Sequence, residues 1–373
     1  MSFELIIDNW MLQDIRSMFQ EGLSEEDDHE IVIHESRDQH LLSEVPLAAI
    51  QIEALLNLLV SIVLRDKLIV DSAWVHAWDD ENIPPAFSML KDLAIVKSIP
   101  FRSYGESLWV PRRAIVKELC VTESLRQIQE ENEQSWSRTG KAVDNRMSSI
   151  LWGGAGYLAR SQLYEAPYLG HPLRERIIEQ SSLVNYSYID ATRQTLNWVQ
   201  EGRTKLLQNA SLNKQSAYAT FNLPPVAVEV IEESNSVEQL IFNAIQLRDK
   251  YSRLRQWLKE YQDVLDNEDI QAMIKKKKFL DSVARNIETL ASSEDKGNTK
   301  ITLGVTWLVI KLSKSINVES LKNRFGVRGM LNRLMFQRRG RSSLEKLLTF
   351  FEPTDSLHRR KIMERLMEKY SSA

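Results

Sequence analysis

The residues best placed to do chemistry are Asp71, His76, Asp79 and Asp80, which follow directly on the short apolar run Leu68, Ile69 and Val70. Carboxylates and an imidazole at the C-terminal end of a strand can converge on a divalent metal, whose bound water would then hydrolyse a phosphodiester. The same residues have a second reading, because Asp71 can cap a helix in which Trp74 and Trp78 fall four apart on one face. The cluster therefore supports an alternative, a metal-dependent nuclease or related hydrolase. The main reading is of a chain with no catalytic residue, no metal and no cofactor.

Other constellations fail on spacing. His29-Glu30 followed by His34 approaches a zinc-protease helix, but five residues turn a helix by roughly 500° and leave the rings about 140° apart. A solvated acidic loop is the expectation there. Thr139-Gly140-Lys141 has Ser135 where a nucleotide-binding loop needs its first glycine, and Ala142 where magnesium needs a hydroxyl. Glu294-Asp295-Lys296 has a nuclease-like acid–lysine spacing, yet it falls in a polar loop and not on paired strands. Cys120 is the single cysteine, which excludes an intramolecular disulfide and a cysteine-based zinc site. It is expected to be a small buried apolar residue.

Charge is sorted along the chain. Residues 1–100 carry 19 acidic against 6 basic side chains and residues 301–373 carry 15 basic against 6 acidic, so a net charge of −3 conceals strongly opposed ends. Such ends choose different partners. Lys322, Arg324, Arg328, Arg333, Arg338, Arg339 and Arg341 lie within twenty residues, interleaved with Phe325, Leu331, Leu334 and Phe336, and the run Lys275, Lys276, Lys277, Lys278 adds a second patch. Arginine forks suit phosphate, and they suit an acidic protein surface equally, including this chain's own N-terminal segment.

These groups must be positioned by a chain that reads as mainly α. A small N-terminal α/β module, residues 1–120, is expected from a helix over Ala48 to Ile62, the strand Leu68 to Val70, a helix near Pro85 to Leu93 and two extended runs, AIVKSIPF and SLWVPRRAIV. Helix then hairpin is compatible with a winged-helix-like unit. A helical middle region, residues 121–212, contains an amphipathic helix over 145–163. Gly153, Gly154 and Gly156 interrupt it at a cost of about 1 kcal/mol each, which close helix-to-helix approach would explain. Residues 213–373 should hold a long antiparallel helical hairpin and basic C-terminal helices. Its first arm has Leu240, Ala244, Leu247, Tyr251, Leu254, Leu258, Tyr261 and Leu265 at a 3.5-residue period, and its return arm has Leu280, Val283, Ile287 and Leu290. Short helices over Ser342 to Phe351 and Ser356 to Tyr370 follow, with Ser342 and Thr354 or Asp355 as caps.

Val45 to Leu64 is long enough to span a bilayer, but Gln51, Glu53 and Asn57 make it a core helix. With an acidic N-terminus and one cysteine, a cytoplasmic location is expected and no membrane contact. Two stretches, Arg160-x-Gln-Leu-Tyr-Glu-Ala-Pro-Tyr168 with His171-Pro172 and Arg174, and Ala244-Ile-Gln-Leu-Arg248 with Arg255-x-Trp257-Leu258, are similar to bacterial proteins of mostly helical type. That likeness carries no functional residue across. The function expected from the sequence is a non-enzymatic bacterial binding or assembly subunit of a multi-component system, antiviral defence among the possibilities. It would meet a protein partner or a second copy of itself, and nucleic acid, through its basic C-terminal helices.

Overall fold

The computed structural model describes residues 4–24, 29–36, 39–76, 85–101, 106–121, 123–140, 146–164, 166–180, 226–253, 255–256, 259–260, 338–351 and 355–371. Most of these are helical, and a small parallel sheet lies among the helices. Strand β1 (Glu4–Ile7) leads into helix α1 (Asn9–Glu21), and an antiparallel ribbon of β2 (His29–Ser36) and β3 (Gln39–Pro46) leads into α2 (Leu47–Leu64). Then come β4 (Lys67–Asp71), α3 (Ser72–His76), α4 (Pro85–Asp92) and β5 (Val96–Ile99). Three helices, α5 (Glu106–Leu119), α6 (Glu123–Thr139) and α7 (Arg146–Leu163), precede the two-residue strand β6 (Tyr168–Leu169) and α8 (Pro172–Gln180). Past the next described gap come α9 (Val226–Glu233), α10 (Val237–Lys250), α11 (Arg338–Phe350) and α12 (Ser356–Ser371).

The sheet order is β5-β4-β1-β6, with every pairing parallel. Alternate strand residues point to opposite faces. Leu5, Ile7, Leu68 and Val70 join a core with α1, α2 and the helices α9 to α12, while Ile6 and Ile69 join a second core with α5, α7 and α8. Both faces are thus covered, as a parallel sheet requires. The chain moves from β1 outward to β4 and β5 on one side, then returns to place β6 on the other. The direction of winding therefore reverses between β1 and β6.

Helix α2 is buried at every position but its first. A helix apolar all round must be surrounded, and 94% of this one is enclosed by the protein, although by length and composition it is apolar enough to cross a membrane. Its polar side chains are buried with it: Gln51 accepts a bond from the Ser24 amide at 3.1 Å, and Ser61 donates to the Asn57 carbonyl at 2.7 Å. Its C-terminal carbonyls, which lack helical partners, are taken by arginines of the α10 segment. Arg248 donates to the carbonyls of Ile62, of Arg65 at 2.9 Å and of Asp66 at 3.1 Å, and Arg255 donates to that of Val63 at 3.0 Å. Burial, with the nearby charge of Arg255, pulls the Arg248 guanidinium down to about 10.

Several sequence expectations change. SLWVPRRAIV is helical, within α5, so the hairpin that the winged-helix reading needed is not formed by this run and that reading falls. Pro111 inside that helix costs a hydrogen bond, but Leu108, Ile115, Val116 and Leu119 are spaced to bury one helical face, and that packing overrides the proline. His29, Glu30 and His34 sit in β2 and not in a loop. The helix expected to start at Ser342 begins at Arg338, whereas Asp355 does cap α12 through the Leu357 amide at 3.2 Å. Of the heptad seam, Leu240, Ala244, Leu247 and Tyr251 are buried within the chain where α10 packs on α2 and α4. Its continuation and the return arm at 280–290 lie outside the described residues. Cys120 is buried, its thiol pushed up to about 11 by desolvation.

Replacing Arg248 by Met keeps the aliphatic stem but strands three carbonyls at the end of α2. The variant is expected to lose about 2 kcal/mol of stability, read as a lower denaturant midpoint at unchanged slope. An unshifted midpoint would show that the clasp does not bear on stability.

Candidate functional site

In doubly wound sheets, ligands sit beyond the C-terminal ends of the strands where the winding reverses. Here that place is the end of β1 and β6, and Asp8 occupies it. Asp8 is the N-cap of α1, its Oδ1 accepting from the Trp10 amide at 2.9 Å. The same oxygen accepts from Arg174 Nη1 at 2.6 Å. Oδ2 accepts from the His171 amide at 3.2 Å and from the Tyr168 hydroxyl. Four donors fill the carboxylate's acceptor sites. Burial alone would raise its carboxyl, but the Arg174 guanidinium, His171 and the Tyr168 bond outweigh burial and hold it below the ordinary 3.8. Burial and then the Asp8 charge push the Tyr168 phenol well up, so it stays a donor.

His171 is fully buried between Asp8 and α1. Its Nδ1 accepts the Leu173 amide at 3.3 Å, capping α8, which fixes the proton on Nε2, 2.7 Å from Asp14 Oδ2. With both ring nitrogens engaged, the imidazole ties α8 to α1. Glu175 reaches back to the Gly170 amide at 3.0 Å and completes the turn from β6 into α8. Tyr157 on α7 accepts the Asn9 amide at 2.8 Å and stacks on Tyr168 with ring centroids 4.9 Å apart.

Arg174 continues outward from this cluster, its guanidinium 3.9 Å from the Trp10 ring centroid. One glycine of α7, Gly153, admits it. A Cβ on Gly153 would lie 2.3 Å from Arg174 Nη2, whereas one on Gly154 would rest at an ordinary 3.7 Å from Arg174 Cβ. The close approach expected of the glycine run is therefore met at Gly153, by an arginine side chain and not by a helix backbone, while Gly154 has ordinary contacts.

Arg174 and Trp10 form one end of a cavity of about 970 Å³ that opens between α5, α6 and α7. Trp109, Trp136 and Trp152 line it, so four of the chain's nine tryptophans converge there. Trp109 stacks on Trp152 with centroids 5.6 Å apart, and Trp136 follows at 6.1 Å from Trp109. The walls are pinned by polar contacts. The Trp152 indole donates to Gln129 at 2.9 Å, Gln129 donates to Glu133 at 2.9 Å, and Glu133 pairs with Arg113 at 3.4 Å. Arg112 donates to the Trp152 carbonyl at 3.0 Å and lies over its ring. Glu130 and Asn132 complete a lining that mixes donors and acceptors.

The residues singled out from sequence lie elsewhere. Asp71 ends β4, and its Oδ1 accepts the amides of Ala73 at 3.2 Å and Phe101 at 3.3 Å, the turn and capping use. His76 closes α3, while Asp79 and Asp80 lie outside the described residues, among which no three His, Cys, Asp or Glu side chains form a group that could hold a metal. Lys275, Lys276, Lys277, Lys278, Lys322, Arg324, Arg328 and Arg333 also lie outside them. Arg338 and Arg339 open α11, and exposed Arg341 lies 3.9 Å from Glu345. Sequence reading missed Asp8, Trp10, Trp109, Trp136, Trp152 and Arg174 as a site. The available signal was an acid placed between the apolar run ELII and a helix beginning at Asn9.

Because Asp8 is held below its ordinary value, its stabilising effect is full above pH 3.8 and is lost as the pH falls through its folded value. Asp8→Asn is expected to cost about 3 kcal/mol near neutrality. The deficit should begin to shrink below about pH 4, where the unfolded parent's carboxyl takes up a proton, and should close only as the pH falls through the lower folded value. Denaturation at several pH values checks this, and a deficit that does not change with pH would contradict it. In α7, Gly154→Ala should be neutral or stabilising by up to about 1 kcal/mol, while Gly153→Ala should destabilise despite the same gain in helix propensity. Equal melting shifts for the two would remove the packing role given to Gly153.

No family model, curated protein or solved structure matches this chain.

Proposed function

We propose that this protein is a non-enzymatic binding subunit that engages nucleic acid, with the cavity beside Arg174 as its ligand site. The observation that carries the reading is the convergence of four tryptophans and three arginines on one cavity, which Trp10 and Arg174 connect to the Asp8 cluster at the end of β1. Indole faces and guanidinium planes are surfaces on which bases stack. The adjoining Asp8 and His171 support binding over catalysis, since a carboxylate with four donors and an imidazole with both nitrogens engaged present no open position to a metal. The acidic beginning and basic end of the chain would dock unlike partners, which suits an assembly subunit of a multi-component system such as defence against phage.

The test is a labelled oligonucleotide incubated with the full chain and Mg²⁺ or Mn²⁺, then run on native and denaturing gels. Retardation with the strand kept at full length is expected. Shortening of the strand that Asp71→Ala abolishes would overturn the reading in favour of a hydrolase.

A further inference from the structure

We infer that the cavity receives single unstacked bases of a single-stranded nucleic acid, held by stacking and by contacts to the base edge instead of by a grip on phosphates. The inference rests on the nucleic-acid reading above and goes further by naming the form of the ligand and the group recognised.

Charge decides between base and phosphate. Arg174 is already paired with Asp8 and Arg113 with Glu133, and Glu130 faces the same space. A phosphate grip needs cations in excess, because each neutralised phosphate is what makes binding tight and salt-sensitive. This lining is close to balanced. A base edge, by contrast, offers donors and acceptors side by side, and suits a lining that mixes guanidinium, amide, hydroxyl and carboxylate groups without an excess of either charge.

The aromatic row gives the stacking surface. Trp152, Trp109 and Trp136 succeed one another at centroid spacings of 5.6 and 6.1 Å, and the outermost, Trp136, is 48% exposed. A base can extend this row from the solvent side. Bases within a duplex are stacked on each other and present no free face to the tryptophan row, so a single strand is required. At about 970 Å³ the cavity lies at the upper end of the range for small-molecule sites, which leaves room for more than one ring system.

The experiment compares binding of the full chain to labelled dT12 and rU12, to an abasic strand of equal length and charge, and to a duplex, by anisotropy and tryptophan quenching. The base-bearing strands should bind at least about tenfold more tightly than the abasic one and quench tryptophan emission, and Trp136→Ala should weaken them by about tenfold while leaving the melting temperature unchanged. The slope of log affinity against log salt should stay shallower than about 2, as few phosphates are neutralised. If the abasic strand binds as well as the others, with a steep salt slope, base insertion is wrong and a phosphate-binding protein remains. If no strand binds at all, the nucleic-acid reading falls together with this inference.

Discussion

One buried carboxylate organises this protein. Asp8 collects donors from the start of α1, from β6 and from α8, joining residue 8 to residues 168, 171 and 174 across most of the folded N-terminal half. The strand pairing it reinforces is slight, since β6 meets β1 at only two register positions. Removing a carboxylate and a guanidinium from water costs several kcal/mol for each ion, and their attraction offsets this only when the remaining hydrogen-bonding positions are filled. On Asp8 they are all filled, while on Arg174 the buried Nε has no hydrogen-bond partner, and the ion pair holds a sheet edge that backbone pairing alone would hold weakly.

The same pair shapes the cavity. Held by Asp8 at Nη1 and lying over Trp10, the Arg174 guanidinium has a fixed place at one end of the space, and the missing side chain of Gly153 is what lets it lie against α7. Pre-placing a charged group in this way lowers the ordering cost of a later binding event. The geometry at this end of the cavity thus follows from one interaction.

Local features of the fold were legible in the sequence. The apolar run of α2, the strands β4 and β5, the amphipathic α7 and the capped α12 all have periodicity or punctuation that a short window reveals. Taken as a short window, SLWVPRRAIV reads as extended, and the helical spacing of Leu108, Ile115 and Leu119 becomes decisive only in the packing of α5 against α7. The heptad spacing around Leu240 was real, but it serves burial against α2, and its ideal period did not say what would cover it. The site was the least legible part. Asp8 looks like any helix cap until Arg174 and Tyr168 arrive from some 160 residues away, and no local pattern records such a meeting. The four cavity tryptophans come from α1, α5, α6 and α7, each a single residue on an otherwise ordinary amphipathic helix.

The most direct measurement of the central claim is a double-mutant cycle on Asp8→Asn and Arg174→Met, with stability taken from reversible denaturation of both single variants, the double variant and the parent. If the pair organises the sheet edge, the two losses are far from additive, with a coupling of about 2–3 kcal/mol. Additive losses, with coupling below about 0.5 kcal/mol, would mean that Asp8 and Arg174 act independently and that the sheet edge is held by something else.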